Sequence, residues 1–269
     1  AGQSNGFQAL AAGLVPSIFF PTSSHLSLSF SLTHIPFHFT FHFPTSSPLH
    51  LFLFSSFSLS LITFHPPTPP TLMFIGDSLT AGYQLSLEDA FPAIIESRIG
   101  TKNIQIINAG ISGDTTYSVL NRLAYTLTTT PNMVFLCIGA NDGLRGIPPE
   151  ITKKNIEAMI NLLKNRNIPV VLAGISLPKN YTKQYIDAFE TTFADIAKTQ
   201  NLPFMPFLLK NVAGIPTLNL NDRIHPNKKG HQIIANNVYA FLVSENIVTS
   251  QNKLIINRSQ PYKRQYLSH

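Results

Sequence analysis

Charge is missing from the first quarter of the chain: residues 1–70 contain no Asp, Glu, Lys or Arg, and all 32 such residues (19 basic plus 13 acidic) follow residue 70. That discontinuity is the clearest boundary in the sequence. Without basic residues the segment lacks the first region of a secretory signal, and it is far too long for one, although residues 9–20 have a faintly signal-like apolar composition. Its most apolar run, 49–64, falls short of the roughly 20 residues that cross a bilayer as a helix. No flanking Lys or Arg sets an orientation for it. Phe, Ser, Leu and Pro are encoded largely by codons with two leading pyrimidines. A misassigned start or read-through translation is therefore the leading expectation, set against a divergent membrane-targeting leader. Uncharged Ser/Pro/Phe sequence without periodicity specifies no stable pattern, so no fold is assigned to residues 1–70.

Other absences narrow the function. A single cysteine, Cys137, excludes an internal disulfide and reads as a small buried hydrophobe in an apolar strand. Six of the nine histidines lie in the uncharged segment, none at metal-site spacing with a cysteine, and no metal site is expected. No Gly-Lys-Ser/Thr follows the glycines at 76 and 82, which argues against a phosphate-cradling nucleotide loop. The net charge of +6 comes without aromatic-basic interleaving, so nucleic acid is not an expected partner. Residues 248–269 carry Lys253, Arg258, Lys263 and Arg264 without an acid and read as a disordered, solvated basic tail. Weak contact with anionic lipid is the lesser alternative.

What is present, from residue 71 to about 247, is an alternating α/β pattern in a composition ample for a core. Short apolar runs predict strands over 72–75, 104–107, 133–138 and 170–173, with a weak fifth over 202–205. Apolar stripes at helical spacing predict intervening helices through Ile94–Ile99, over 117–127, 151–163 and 181–197, and a last one after Pro226. Such alternation predicts a parallel sheet covered by helices on both faces, which binds ligands beyond the carboxyl ends of its strands.

Four short blocks fall at those ends: Gly76-Asp77-Ser78-Leu79, Ser112-Gly113-Asp114, Gly139-Ala140-Asn141-Asp142 and Asp222-Arg223-Ile224-His225-Pro226. A serine hydroxyl needs a base within hydrogen-bond reach, and His225 is the candidate because imidazole titrates near neutral pH. Asp222, three residues earlier, is placed to accept from the other ring nitrogen, completing a Ser-His-Asp arrangement recognised by roles. The N–H groups of Ser78 and Gly113 and the Asn141 amide are candidate donors to an oxyanion, with glycine at 113 admitting close backbone approach. Asp77 and Asp114 read as loop-shaping acceptors, and Arg145 and His231 as surface or structural residues. Each block alone has a bland reading, such as a turn at Asn141-Asp142 or a loop histidine at 225, and their conjunction carries the argument.

The strings Phe74-Ile75-Gly76-Asp77-Ser78-Leu79-Thr80-Ala81-Gly82-Tyr83, Ile111-Ser112-Gly113-Asp114-Thr115 and Gly139-Ala140-Asn141-Asp142-Gly143-Leu144-Arg145-Gly146 resemble the SGNH (GDSL) hydrolases. They resemble in particular a bacterial subgroup of multifunctional acyl-CoA thioesterases, lysophospholipases and arylesterases, over about residues 71–245. The resemblance implies a three-layer α/β/α flavodoxin-like fold with a parallel sheet of about five strands. It assigns Ser78 as nucleophile, Asp222 and His225 as the remaining triad, and Gly113 and Asn141 beside Ser78 as oxyanion donors. It also implies no cofactor and no metal. Members of the subgroup carry a short export signal, so a periplasmic or secreted location is the expectation, and a monomer is expected.

For substrate, loops 143–149 and 175–181, apolar and bearing prolines, are the expected walls of an acyl groove. The resemblance implies a small-molecule acyl ester or thioester substrate, among them medium or long acyl thioesters, lysophospholipids and aryl esters. A carbohydrate O-acetylesterase with the same triad, and a catalytically silent acyl-ligand or membrane-binding module, are the alternatives.

Overall fold

The computed structural model describes residues 68–256 and three earlier strands, β1 (Ser17–Ile18), β2 (Ser27–Leu32) and β3 (Ile35–Thr40). Backbone contacts divide the chain into Ala1–Phe64 and His65–His269. In the first unit β2 pairs antiparallel with β1 and with β3, the latter from Ser27 opposite Thr40 to Leu32 opposite Ile35. No fold was expected there. The run Ser27-Leu28-Ser29-Phe30-Ser31-Leu32 nevertheless alternates polar and apolar residues with the period of a strand. The 49–64 run lies outside the described residues.

In the second unit the strands are β4 (Thr71–Gly76), β5 (Gln105–Gly110), β6 (Met133–Cys137), β7 (Val170–Ala173) and β8 (Phe204–Met205). All pair in parallel, in the order β5-β4-β6-β7-β8. This is the flavodoxin-like order, in which the chain winds to one side of the first strand and then crosses to the other. Parallel strands covered on both faces need continuous apolar runs, and β6 and β7 are buried along their whole length. Phe74 packs edge-on against Phe91 and, tilted, against Phe135, with ring centroids 5.4 and 5.1 Å apart. Burial of each such ring contributes about 2–3 kcal/mol.

The helices are α1 (Ser78–Ala81), α2 (Phe91–Ile99), α3 (Thr116–Thr126), α4 (Ala140–Leu144), α5 (Pro149–Asn165), α6 (Lys183–Gln200) and α7 (Lys228–Ser244). They form two packed groups, α2 with α7 and α3 with α5 and α6, giving the three layers expected. Side-chain caps start four of them: Asp77, Thr115, Thr182 and Asn227 accept from Leu79, Ser118, Tyr185 and Gly230 N–H respectively. Pro92 sits in the first turn of α2, where a missing N–H costs little. Among the described residues no helix is long and apolar enough to cross a membrane.

Packing continues past the boundary expected at residue 247. Val248 is buried and bridges Leu254, and Ile255 N–H donates to the Ile247 carbonyl at 2.8 Å. The tail expected to be disordered is thus ordered through its first turn, and residues 257–269 lie outside the described residues.

Candidate active site

The strand order makes a crevice between the carboxyl ends of β4 and β6, the switch point where such sheets bind ligands. Ser78 follows β4 and Asn141 follows β6, so the two stand on either side of it. The turn carrying Ser78 lies hard against the sheet. A Cβ on Gly76 would come within 2.4 Å of the Cys137 carbonyl oxygen, and one on Gly110 within 2.5 Å of Ala81 N. Only glycine at both strand ends admits α1 this close. Asp77 caps that helix, its Oδ1 accepting from Leu79 N–H at 2.9 Å.

His225 Nε2 lies 2.9 Å from Ser78 Oγ, and His225 Nδ1 lies 2.7 Å from Asp222 Oδ2. The other Asp222 oxygen, Oδ1, accepts from Ile224 N–H at 2.9 Å and His225 N–H at 3.0 Å. One carboxylate therefore folds the 222–225 turn and receives the imidazole. Partial desolvation raises the Asp222 pKa, but donation from the His225 backbone, the His225 ring and Ile224 N–H outweighs it and holds the group below the ordinary carboxylate range. With Asp222 ionised, Nδ1 is the protonated nitrogen and Nε2 is left to accept from the serine. The Tyr83 ring covers the imidazole at 4.4 Å between centroids, a contact no spacing in the sequence signals.

No described residue accepts from the N–H of Ser78 or of Gly113. Asn141 Nδ2 donates to the Asp114 carbonyl at 2.9 Å, which fixes the amide orientation and leaves its second N–H free. Ser78, Asn141 and His225 line one cavity; Gly113 is not among its lining residues and joins the site through the loop that Asn141 ties down. Crowding by the described residues does not account for glycine at 113: an added Cβ would meet nothing within 4 Å. The backbone does, because φ is +86°, in the left-handed region that favours glycine.

Arg145 is an exposed residue with a structural contact, its Nη2 donating to the Gly113 carbonyl at 3.1 Å. Asp114 pairs with Arg122 at 2.7 Å, and the same guanidinium reaches the Ala109 and Gly76 carbonyls at 2.9 and 3.3 Å. Asp142 does not form a simple turn. It is buried in α4 and accepts from Thr116 N–H at 2.8 Å and from the Thr116 hydroxyl. His231 is structural, its Nδ1 accepting from Phe91 N–H at 3.1 Å at the start of α2. Burial raises the Cys137 thiol pKa well above its ordinary value. Among the described residues no group of three or more His, Cys, Asp or Glu side chains is arranged to hold a metal ion.

The cavity has a volume of about 540 Å³. The 175–181 loop is a wall as expected, through Ile175 to Lys179, whereas the 143–149 loop supplies only Leu144. Tyr181 and Tyr185 instead hold that loop from outside, their hydroxyls donating to the Leu144 and Ile147 carbonyls, each at 2.8 Å. A third wall was not foreseen and comes from Phe207, Leu209, Ala213 and Gly214.

The sequence model of the GDSL-like Lipase/Acylhydrolase family matches residues 74–233. An arylesterase of Vibrio mimicus is 38% identical over 175 residues, covering 64% of this chain and 88% of that protein. The thioesterase 1/protease 1/lysophospholipase L1 of Escherichia coli K12 is 36% identical over 178 residues, 66% of this chain and 85% of its own. Among solved structures, the psychrotrophic esterase EstA from Pseudoalteromonas sp., inhibited by monoethylphosphonate, superposes with a TM-score of 0.62. It is 33% identical, and the match covers 65% of this chain and 97% of that one.

Proposed function

Because the chain belongs to the GDSL-like lipase/acylhydrolase family and is a carboxylic ester hydrolase, we propose that it cleaves acyl esters and thioesters through an acyl-enzyme on Ser78. The observation that carries the reading is the unbroken relay from Ser78 Oγ to His225 Nε2 at 2.9 Å and from His225 Nδ1 to Asp222 at 2.7 Å, on the wall of an apolar cavity.

In this mechanism Ser78 Oγ attacks the acyl carbon while His225 Nε2 takes the hydroxyl proton, and Asp222 steadies the resulting imidazolium. The carbonyl oxygen becomes an oxyanion held by the N–H groups of Ser78 and Gly113 and the free N–H of Asn141. As the tetrahedral intermediate collapses, the bond to the alcohol or thiol breaks and His225 hands the proton to that leaving group. Water then attacks the acyl-enzyme with His225 again as base, and the acid departs with Ser78 restored.

The names of the arylesterase and thioesterase/lysophospholipase relatives support small acyl esters and thioesters as the substrate class. Ile175, Leu177, Phe207 and Leu209 offer an acyl chain of several carbons an apolar bed that an acetyl group would leave largely unfilled. The test is hydrolysis of p-nitrophenyl esters from acetyl to palmitoyl, combined with mass spectrometry after treatment with a phosphonate ester. Activity peaking at medium chains, with one phosphonyl adduct on Ser78 and none in Ser78→Ala, is expected. Preference for acetyl would favour the O-acetylesterase alternative, and an adduct elsewhere would overturn the assignment of the nucleophile.

A further inference from the structure

The three donors proposed for the oxyanion come from three separate elements: Ser78 from α1, Gly113 from the loop after β5 and Asn141 from α4. No helix or strand contains two of them. A site of this kind works only if its donors are held to within about 0.5 Å of the productive geometry, so something must set the spacing between the elements.

Arg122, midway along α3, reaches all three. Its Nε donates to Asp114 Oδ2 at 2.7 Å, in an ion pair whose side chains are only 19% and 12% exposed and so are little screened by solvent. The two hydrogens of its Nη2 go to carbonyls at the ends of adjacent strands, Ala109 of β5 at 2.9 Å and Gly76 of β4 at 3.3 Å. Its Nη1 donates to Thr126 Oγ1 at 3.0 Å, and that hydroxyl donates back to the Arg122 carbonyl at 3.1 Å, which braces the side chain along its own helix.

The groups so held are the ones that carry the donors. Gly76 lies two residues before Ser78. Asp114 follows Gly113, and the Asp114 carbonyl accepts from Asn141 Nδ2 at 2.9 Å. Each donor is therefore within two residues, or one hydrogen bond, of a residue gripped by a single guanidinium. A planar fork with several fixed N–H directions can hold two carbonyls and a carboxylate at once, whereas an ammonium is a point charge without that geometry.

We propose that Arg122 is a positioning residue for the oxyanion site, its guanidinium setting the spacing between the Ser78, Gly113 and Asn141 donors. This rests on the serine-hydrolase reading above. Arg122 does not line the cavity, so it acts through the donors and not by binding substrate. Its loss is felt where negative charge develops, in kcat and not in KM.

The experiment measures kcat and KM of the full chain for p-nitrophenyl octanoate and for its thiono analogue, in which sulfur replaces the carbonyl oxygen. Sulfur is larger and a poor hydrogen-bond acceptor, so a well-set donor array favours the oxygen ester strongly and a loosened one favours it less. The ratio of the two kcat/KM values is the readout, since damage to the triad or to the fold cancels within one enzyme. Asn141→Ala, which deletes one donor, supplies the reference for a lowered ratio. In Arg122→Ala, kcat for the oxygen ester is expected to fall about 10²-fold at nearly constant KM, the cost of a misplacement of about 1 Å. The ratio is expected to fall about tenfold, towards that of Asn141→Ala. Should thermal unfolding show that Arg122→Ala does not fold, Arg122→Lys carries the test, because it keeps the charge and the stem but not the fork, and its ratio is expected to fall as well. A wild-type ratio in the folded variant, or a rise in KM at constant kcat, overturns the positioning role while leaving the hydrolase intact. Turnover of neither ester by the wild type overturns the hydrolase reading and the positioning role with it.

Discussion

Arg145 Nη2 donates to the carbonyl oxygen of Gly113 across 32 residues of chain, tying the loop after α4 to the loop that holds this proposed oxyanion donor. The Gly113 backbone occupies a left-handed conformation with open space around it, so no side chain of its own holds the peptide in orientation. Arg145→Ala is expected to lower kcat by about 10-fold, less than the 10²- to 10³-fold cost of deleting an oxyanion donor, with KM and melting temperature nearly unchanged. Added guanidinium should restore part of the rate. A rise in KM at constant kcat would show Arg145 to be a binding residue and not a positioning one.

Asp222→Asn separates shape from charge. The amide oxygen can still receive the backbone N–H groups of Ile224 and His225, but the NH₂ then faces His225 Nδ1 and favours the tautomer whose Nε2 cannot accept from Ser78. The expected loss in kcat is about 10³- to 10⁴-fold with little change in melting temperature. Asp222→Ala should lose stability as well, read by thermal unfolding.

Asp77 is wholly buried, and its Oδ2 has no hydrogen-bond partner. Burial, with the charges of Asp114 and Asp142 adding, pushes its carboxyl up to about 7, against the opposing pull of Leu79 N–H. Between an ordinary carboxyl pKa near 3.8 and about 7 the folded protein keeps a proton that the unfolded chain has released, so this group's contribution to stability declines as pH rises through that window. Asp77→Asn keeps an acceptor for Leu79 N–H and cannot ionise. It should match wild type near pH 4 and exceed it at pH 8, by at most about 4 kcal/mol in urea unfolding. A constant offset at all pH values would show that Asp77 does not titrate in this range.

His231 acts with the opposite sign in nearly the same window. Burial lowers its pKa to about 4, the Asp89 carboxylate partly opposing and His225 adding. Between about 4 and the ordinary 6.5 the unfolded chain binds a proton that the fold excludes, so stability falls as pH drops through that range, and Nδ1 stays free to accept from Phe91 N–H. His231→Asn should be less stable than wild type at pH 7.5 and close the gap by up to about 3 kcal/mol at pH 4.5. In wild type the two slopes offset each other, and only the single variants expose them.

Which parts of the molecule could be read in the sequence follows from the range of the forces that set them. The strands at 72–75, 133–138 and 170–173 stand out because strands covered on both faces must be apolar without interruption. β5 runs to Gly110 although its expected strand stops at 107. Asn108, Ala109 and Gly110 have little strand propensity, and pairing with Phe74, Ile75 and Gly76 imposes the conformation. Helices α1 and α4, of 4 and 5 residues, are too short to show a period. Ser78, Asn141, Asp222 and His225 were legible because each falls at a strand end or before a helix, where such sheets gather ligands. The Arg145 contact, the Tyr83 cover and the 207–214 wall were not, since each joins segments whose spacing carries no periodic signal. The Ser27–Leu32 alternation has the period of a strand, but no charged residue around it marks one face as solvated.

The two glycines that seat α1 against the strand ends also leave little that is compressible beneath Ser78, the proposed nucleophile. Elsewhere in the core a substitution can be absorbed by neighbouring rotamers. Under Ser78 the meeting surfaces include bare backbone, the Cys137 carbonyl on one side and Ala81 N on the other, which has no alternative state to adopt. The serine is therefore mounted on the frame of the sheet itself, and changes of substrate range must come from the loops at 175–179 and 207–214, which can be rebuilt without moving it.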